Sequence, residues 1–154
     1  MSFGGRTIPV ALGRGGTSVR KREGDGATPV GAWTARQAWV RPDRTRLRAA
    51  GLPLFRIRAT DGWCDGADDR NYNSHVRLPY RASHETMRRD DHLYDCLVVT
   101  SHNEQGRRNE GSAVFVHLAR PDYTPTEGCI ALSRRDMKLL LDRIGPDTRF
   151  VVHR

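Results

Sequence analysis

Apolar positions along this chain come in short runs, divided by polar stretches rich in glycine, asparagine, aspartate and arginine. Segment 54–60, LFRIRAT, alternates Phe55, Ile57 and Ala59 with Arg56 and Arg58, the period of a strand with one wet face. Runs 96–101 (CLVVTS), 112–118 (SAVFVHL) and 149–153 (RFVVH) are β-branched and apolar, which suits central strands. Segment 30–40 carries Trp33 and Trp39 in a β-type run. Segment 6–12 reads as an edge strand, because Pro9 cannot donate to a ladder. Segments 13–29, 61–75 and 101–111 read as loops.

One helix stands out. In SRRDMKLLLDRIGPD, Ser133 is an N-cap with Asp136 three residues on. Met137, Leu140, Leu141 and Ile144 form one apolar face, and Gly145 and Pro146 end the helix. A second helical turn is predicted from Ser83 in ASHETMRRDD. The sum is a mainly β domain with one well-defined helix near the C-terminus, a single domain over residues 1–154.

Composition adds limits. Apolar residues make up 37% and charged residues 29%, the profile of a soluble globular chain. Lys and Arg number 26 against 18 acids, giving +8, and only Lys21 and Lys138 are lysine. A basic surface suits an anionic partner without naming one. Trp33, Trp39 and Trp63 are potential base-stacking residues, yet no nucleic-acid motif accompanies them. No apolar run is long enough to span a membrane. The start resembles no signal peptide, so a cytoplasmic location is expected if Met1 is the native start, and a periplasmic one if the native N-terminus is longer. Cys64, Cys96 and Cys129 are an odd set, all expected to be free thiols in a reducing compartment. No spacing among Cys64, His75, His84 and Cys96 matches a zinc site, so no metal or other cofactor is expected.

Cys129 follows Gly128 and precedes an apolar run. His117 lies twelve residues earlier, at the end of a predicted central strand. A strand–loop return of that length can bring both to one end of a sheet. A thiol attacks only as thiolate, and a nearby imidazole can take its proton. Gly128 would leave room for a substrate backbone, and N–H groups near Cys129 could hold an oxyanion. The alternative is a buried cysteine and a strand-end histidine without chemistry.

The words around Cys129 bear on that choice. His117 followed by Thr126-Glu127-Gly128-Cys129-Ile130-Ala131-Leu132 resembles the active-site signature of the L,D-transpeptidase catalytic-domain (YkuD-like) family. REGDGATPVGAW (22–33), the stretch 61–85 and YDCLVVTSHN (94–103) are similar to segments of small bacterial members, so roughly residues 5–153 take part. The resemblance implies a YkuD-like β-sandwich or barrel and acyl transfer on peptidoglycan stem peptides. Cys129 would attack the carbonyl at the L-centre of the third residue, releasing D-alanine and leaving a thioester. His117 would be base and then acid, its ring oriented by the main-chain carbonyl of Leu118. The oxyanion would rest on the N–H groups of Cys129 and Gly128.

Two positions depart from the family pattern. Glu127 stands where the family usually has a second histidine. Ala131 stands where an arginine or asparagine is common, so anion recognition must come from elsewhere, with Arg134, Arg120 and Arg81 as candidates. Glu127 is a candidate to stabilise a nearby His⁺ or to receive the diaminopimelate amine of the substrate, the alternative being an exposed loop acid. Thr126, His102, Arg134, His84 and Glu85 are further candidates for substrate contact. The acceptor of the thioester is open. Water makes an L,D-carboxypeptidase of murein recycling, the preferred reading; an amine makes a transpeptidase forming 3→3 cross-links; a stem-peptide binding domain without turnover is the third. A muropeptide partner, and a covalent carbapenem adduct on Cys129, are expected from the resemblance.

Overall fold

The protein is described over residues 1–154 by a computed structural model. Its strands are β1 (Ser2–Phe3), β2 (Arg6–Thr7), β3 (Thr17–Ser18), β4 (Thr28–Pro29), β5 (Gly31–Val40), β6 (Leu54–Arg56), β7 (Asp61–Cys64), β8 (His75–Arg77), β9 (His84–Thr86), β10 (Cys96–Thr100), β11 (Phe115–Leu118), β12 (Ile130–Leu132) and β13 (Arg149–Val152). The single helix, α1, spans Arg134–Leu141. The main sheet runs β12-β11-β10-β5-β13, with β6 also paired to β5. A separate sheet runs β8-β7-β9. The fold is thus mainly β with one helix near the C-terminus, as the sequence predicts.

β5 is the longest strand and carries a bulge. Val99 faces Gln37 while Thr100 faces Ala35, so Arg36 is the extra residue. The bulge flips the alternation. Odd-numbered Trp33 and Ala35, and then even-numbered Ala38 and Val40, all enter one core, while Trp39 enters the other. Simple period-two reading cannot see this.

The main sheet is covered on both faces. On one, Val98, Val116 and Leu132 pack with Met137, Leu140, Leu141 and Ile144. These four residues are at most 1% exposed, each worth about 1.5–3 kcal/mol of burial. On the other face, Leu97, Val99 and Phe115 pack with Trp63, Met87 and Tyr94. The three tryptophans are all buried in these cores, so their rings are not available to stack on bases. Cys64 and Cys96 are buried free thiols. No helix is long and apolar enough to cross a membrane.

Several sequence expectations change. The helical turn predicted from Ser83 is strand β9, because it pairs antiparallel with β7, Trp63 opposite Glu85. Segment 61–75, read as loop, supplies β7 and the start of β8. In 54–60 only Ile57 is buried; Phe55 is 42% exposed and stacks its ring on Trp39. In 6–12 only Arg6–Thr7 is strand, although Ala11 bridges Ala131. Ser133 does cap α1, its hydroxyl accepting from the Asp136 N–H at 3.0 Å. The helix stops at Leu141 with Asp142 as C-cap, before Gly145, as the Arg143 N–H tightens onto the Leu140 carbonyl.

Candidate active site

β11 and β12 run parallel, with His117 opposite Ala131. Cys129 lies two residues before Ala131, and alternation puts it on the His117 face of the sheet. Both residues line one cleft of about 280 Å³, with walls from the 21–24 loop, β9, the 112–114 segment and the 124–128 loop.

The His117 ring has a defined orientation. Its Nδ1 lies 2.8 Å from the Leu118 carbonyl oxygen, which can only accept, so Nδ1 carries the proton and Nε2 keeps its lone pair. The Tyr94 ring meets the imidazole edge-on at 5.5 Å. Burial is the main cause that lowers the His117 pKa to about 4, against an ordinary 6.5. The ring is therefore neutral at pH 7.

Cys129 is half-buried by exposure, but its sulfur is closely hemmed in. The thiol donates to the Ala113 carbonyl at 3.1 Å and accepts from the Phe115 N–H at 3.4 Å. Burial pushes it up to about 12, with Glu85 adding to the rise. The resting pair is thus thiol and imidazole, both neutral, without a hydrogen bond between them. The Cys129 carbonyl is held by the hydroxyls of Thr126 at 2.8 Å and Thr28 at 3.3 Å. Its own N–H makes no hydrogen bond within the protein and is a free donor beside the sulfur.

Other predicted residues fall in different places. The Gly128 N–H donates to the Thr126 hydroxyl at 3.1 Å, so it is not a free oxyanion donor. Gly128 has φ +128, and a Cβ there would sit 2.9 Å from the Ala27 carbonyl. Its bare Cα admits the protein's own backbone rather than a substrate's. Thr126 lines the cleft but spends its hydroxyl on tying the loop around Cys129. Glu127 also lines the cleft, yet it is exposed and paired with Arg14 at 2.8 Å.

Three candidates lie outside the cleft. His102 packs edge-on against Trp33, and its Nε2 lies 2.9 Å from the Glu110 carbonyl oxygen. His84 turns its Nδ1 to the Ala82 carbonyl at 2.8 Å and meets Tyr80, because β9 alternation sends its neighbour Glu85 inward instead. Arg134 binds buried Asp95 at 2.7 Å at the start of α1. Of the other two arginines considered for the anion, Arg81 lies outside the cleft as well, and Arg120 lines it.

Glu85, a sequence candidate, does line the cleft, and loss of water raises its carboxyl. Three other cleft residues escaped sequence reasoning about the site. Tyr94 donates to Glu85 at 2.6 Å. Lys21 is 8% exposed, paired with Asp25, and its ammonium lies near Gly128. Its signal was being one of two lysines in a chain of arginines. Asp65 lines the cleft with one buried oxygen that has no partner.

The mainly β domain thus brings a cysteine and an oriented histidine together in one cleft. Residues 4–152 match the model of the family YkuD, L,D-transpeptidase catalytic domain. The chain belongs to this family. It is an enzyme-family domain with L,D-transpeptidase-type activity on peptidoglycan stem peptides. No curated protein and no solved structure matches the chain.

Proposed function

We propose that the protein is a cysteine L,D-carboxypeptidase that trims stem tetrapeptides to tripeptides, acting in cytoplasmic murein recycling. His117 Nε2 takes the thiol proton as Cys129 Sγ attacks the carbonyl at the L-centre of the third residue. The oxyanion forms against the Cys129 N–H. The C–N bond then breaks, His117 gives its proton to the departing D-alanine amine, and a thioester remains. Water, deprotonated by His117, attacks the thioester and releases the tripeptide and the thiol.

The observation that carries this reading is the His117 tautomer, fixed by the Leu118 carbonyl, with Nε2 free in the cleft that Cys129 lines. A neutral thiol–imidazole pair suits proton transfer during attack rather than a standing ion pair. The volume of about 280 Å³ is at the low end for ligand sites, room for the end of one stem peptide and water. That favours hydrolysis over delivery of a second stem peptide.

A binding domain without turnover is the second reading, favoured by the thiol's bond to Ala113 rather than to His117. Mass spectrometry of disaccharide-tetrapeptide incubated with wild type and with Cys129→Ala separates these. Loss of D-alanine with wild type only supports the carboxypeptidase. A 3→3 dimer mass refutes it in favour of cross-linking. Unchanged substrate in both samples leaves the binding domain.

A further inference from the structure

The cleft holds three cations, Lys21, Arg89 and Arg120, and they are not equivalent. Lys21 is tied to Asp25 and to the Arg22 carbonyl. Arg89 is held by Asp91 through two bonds of 2.8 Å. Arg120 has no carboxylate within ion-pair distance. The two acids whose charge it feels are engaged elsewhere, Asp91 by Arg89 and Asp122 by Thr124.

The main chain under Arg120 is pinned. The Ala119 N–H donates to the Leu132 carbonyl at 2.6 Å, and His92 Nε2 sits 2.9 Å from the Ala119 carbonyl oxygen. The Tyr123 N–H closes a turn onto the Arg120 carbonyl at 3.0 Å. An unpaired guanidinium therefore stands on a fixed stem three residues beyond His117, at the cleft rim. Position 131, on the cleft floor, can offer no charge. Ala131 is 1% exposed, and its N–H and carbonyl are both bonded to Ala11.

Proton traffic orients the substrate. His117 must deliver a proton to the leaving amine, so the leaving residue lies on the His117 side of the thiol. Arg120 is the unpaired cation on that side. We propose that Arg120 receives the terminal carboxylate of the leaving residue and restricts the enzyme to stem peptides with a free C-terminus. This rests on the carboxypeptidase reading for the direction of the substrate. An arginine fork fits a carboxylate with two parallel bonds, which a lone amide terminus cannot match.

The test uses disaccharide-tetrapeptide with a C-terminal carboxylate and the same molecule as its carboxamide. Affinities are measured by calorimetry on the Cys129→Ala protein with and without Arg120→Met, and turnover on proteins that retain the thiol. Expected is a preference of about ten- to a hundredfold for the carboxylate, seen in Kd and in KM, that Arg120→Met abolishes and Arg120→Lys partly restores. Carboxamide binding should stay within about twofold in Arg120→Met, since the exposed side chain makes no hydrogen bond or ion pair within the protein. Equal affinity for the two ligands overturns the assignment, as does an equal loss of both in the variant. A preserved affinity difference without any turnover sinks the carboxypeptidase reading and leaves the carboxylate receptor standing.

Discussion

At the residue scale, the chemistry turns on two groups that are neutral where their free counterparts begin to charge. Cys129 is pushed up to about 12, so iodoacetamide should alkylate it at pH 8 at least about a hundredfold more slowly than free cysteine. Glu85→Gln, which removes the neighbouring negative charge, should speed that reaction; an unchanged rate would show that burial acts without Glu85. His117 has the opposite linkage. Its folded pKa is about 4 and its unfolded value near 6.5, so the unfolded chain binds the proton first as pH falls. Stability from this group is complete above about pH 6.5 and is lost between there and about 4, by ~3 kcal/mol in all. Urea midpoints of wild type and His117→Gln at pH 7 and pH 4.5 test it: the wild type should lose more on acidification. A parallel loss in both proteins would place the acid sensitivity elsewhere. The carbapenem prediction also belongs to this scale. A covalent adduct on wild type, absent from Cys129→Ala, is expected by intact-protein mass spectrometry if the thiol is the nucleophile.

At the element scale, short local signals account for what the sequence revealed and long-range pairing for what it hid. Ser133 and the Met137, Leu140, Leu141, Ile144 stripe sit within a few residues of one another, so α1 was legible. Ser133→Ala should cost about 1 kcal/mol of stability, read from urea unfolding curves. β10 and β11 were legible as apolar runs because both of their faces are covered, and β13 was legible from its valines although Val151 is 55% exposed. β7 to β9 were not. DGWC, HVR and HET are too short to show a period, and only their mutual pairing makes them strands. The same limit explains the site. Cys129, His117 and the Leu118 carbonyl are near one another in sequence and carry a motif. The partners of the motif come from far away: Thr28 to its carbonyl, Ala27 against Gly128, Glu85 toward its thiol. His84 and Glu85 could be named together from ASHE, but which of the two faces the cleft depends on β9 being a strand. Gly128→Ala tests the motif's packing role. A Cβ 2.9 Å from the Ala27 carbonyl at φ +128 should displace the loop and lower kcat/KM more than it lowers the urea midpoint.

At the scale of the whole molecule, the main sheet divides two cores with different duties. The core on the α1 side packs the helix against the sheet and meets the site through β11 and β12. The opposite core includes Phe115, Tyr94 and Met87, and Cys129 packs on it directly. Tyr94 passes its contacts on to both His117 and Glu85. Equal damage to the two cores should then have unequal effects on catalysis. Leu140→Ala and Met87→Ala each empty a fully buried position and should each cost about 2–5 kcal/mol. Measured well below the unfolding transition, Leu140→Ala should keep kcat/KM within about twofold, because the folded site is unchanged. Met87→Ala should lose at least about tenfold, since a cavity beneath Tyr94 and β9 frees the cleft wall by fractions of an ångström where proton transfer needs fixed geometry. If both variants lose activity in proportion to stability alone, the two cores act as one cooperative body and the site has no privileged side.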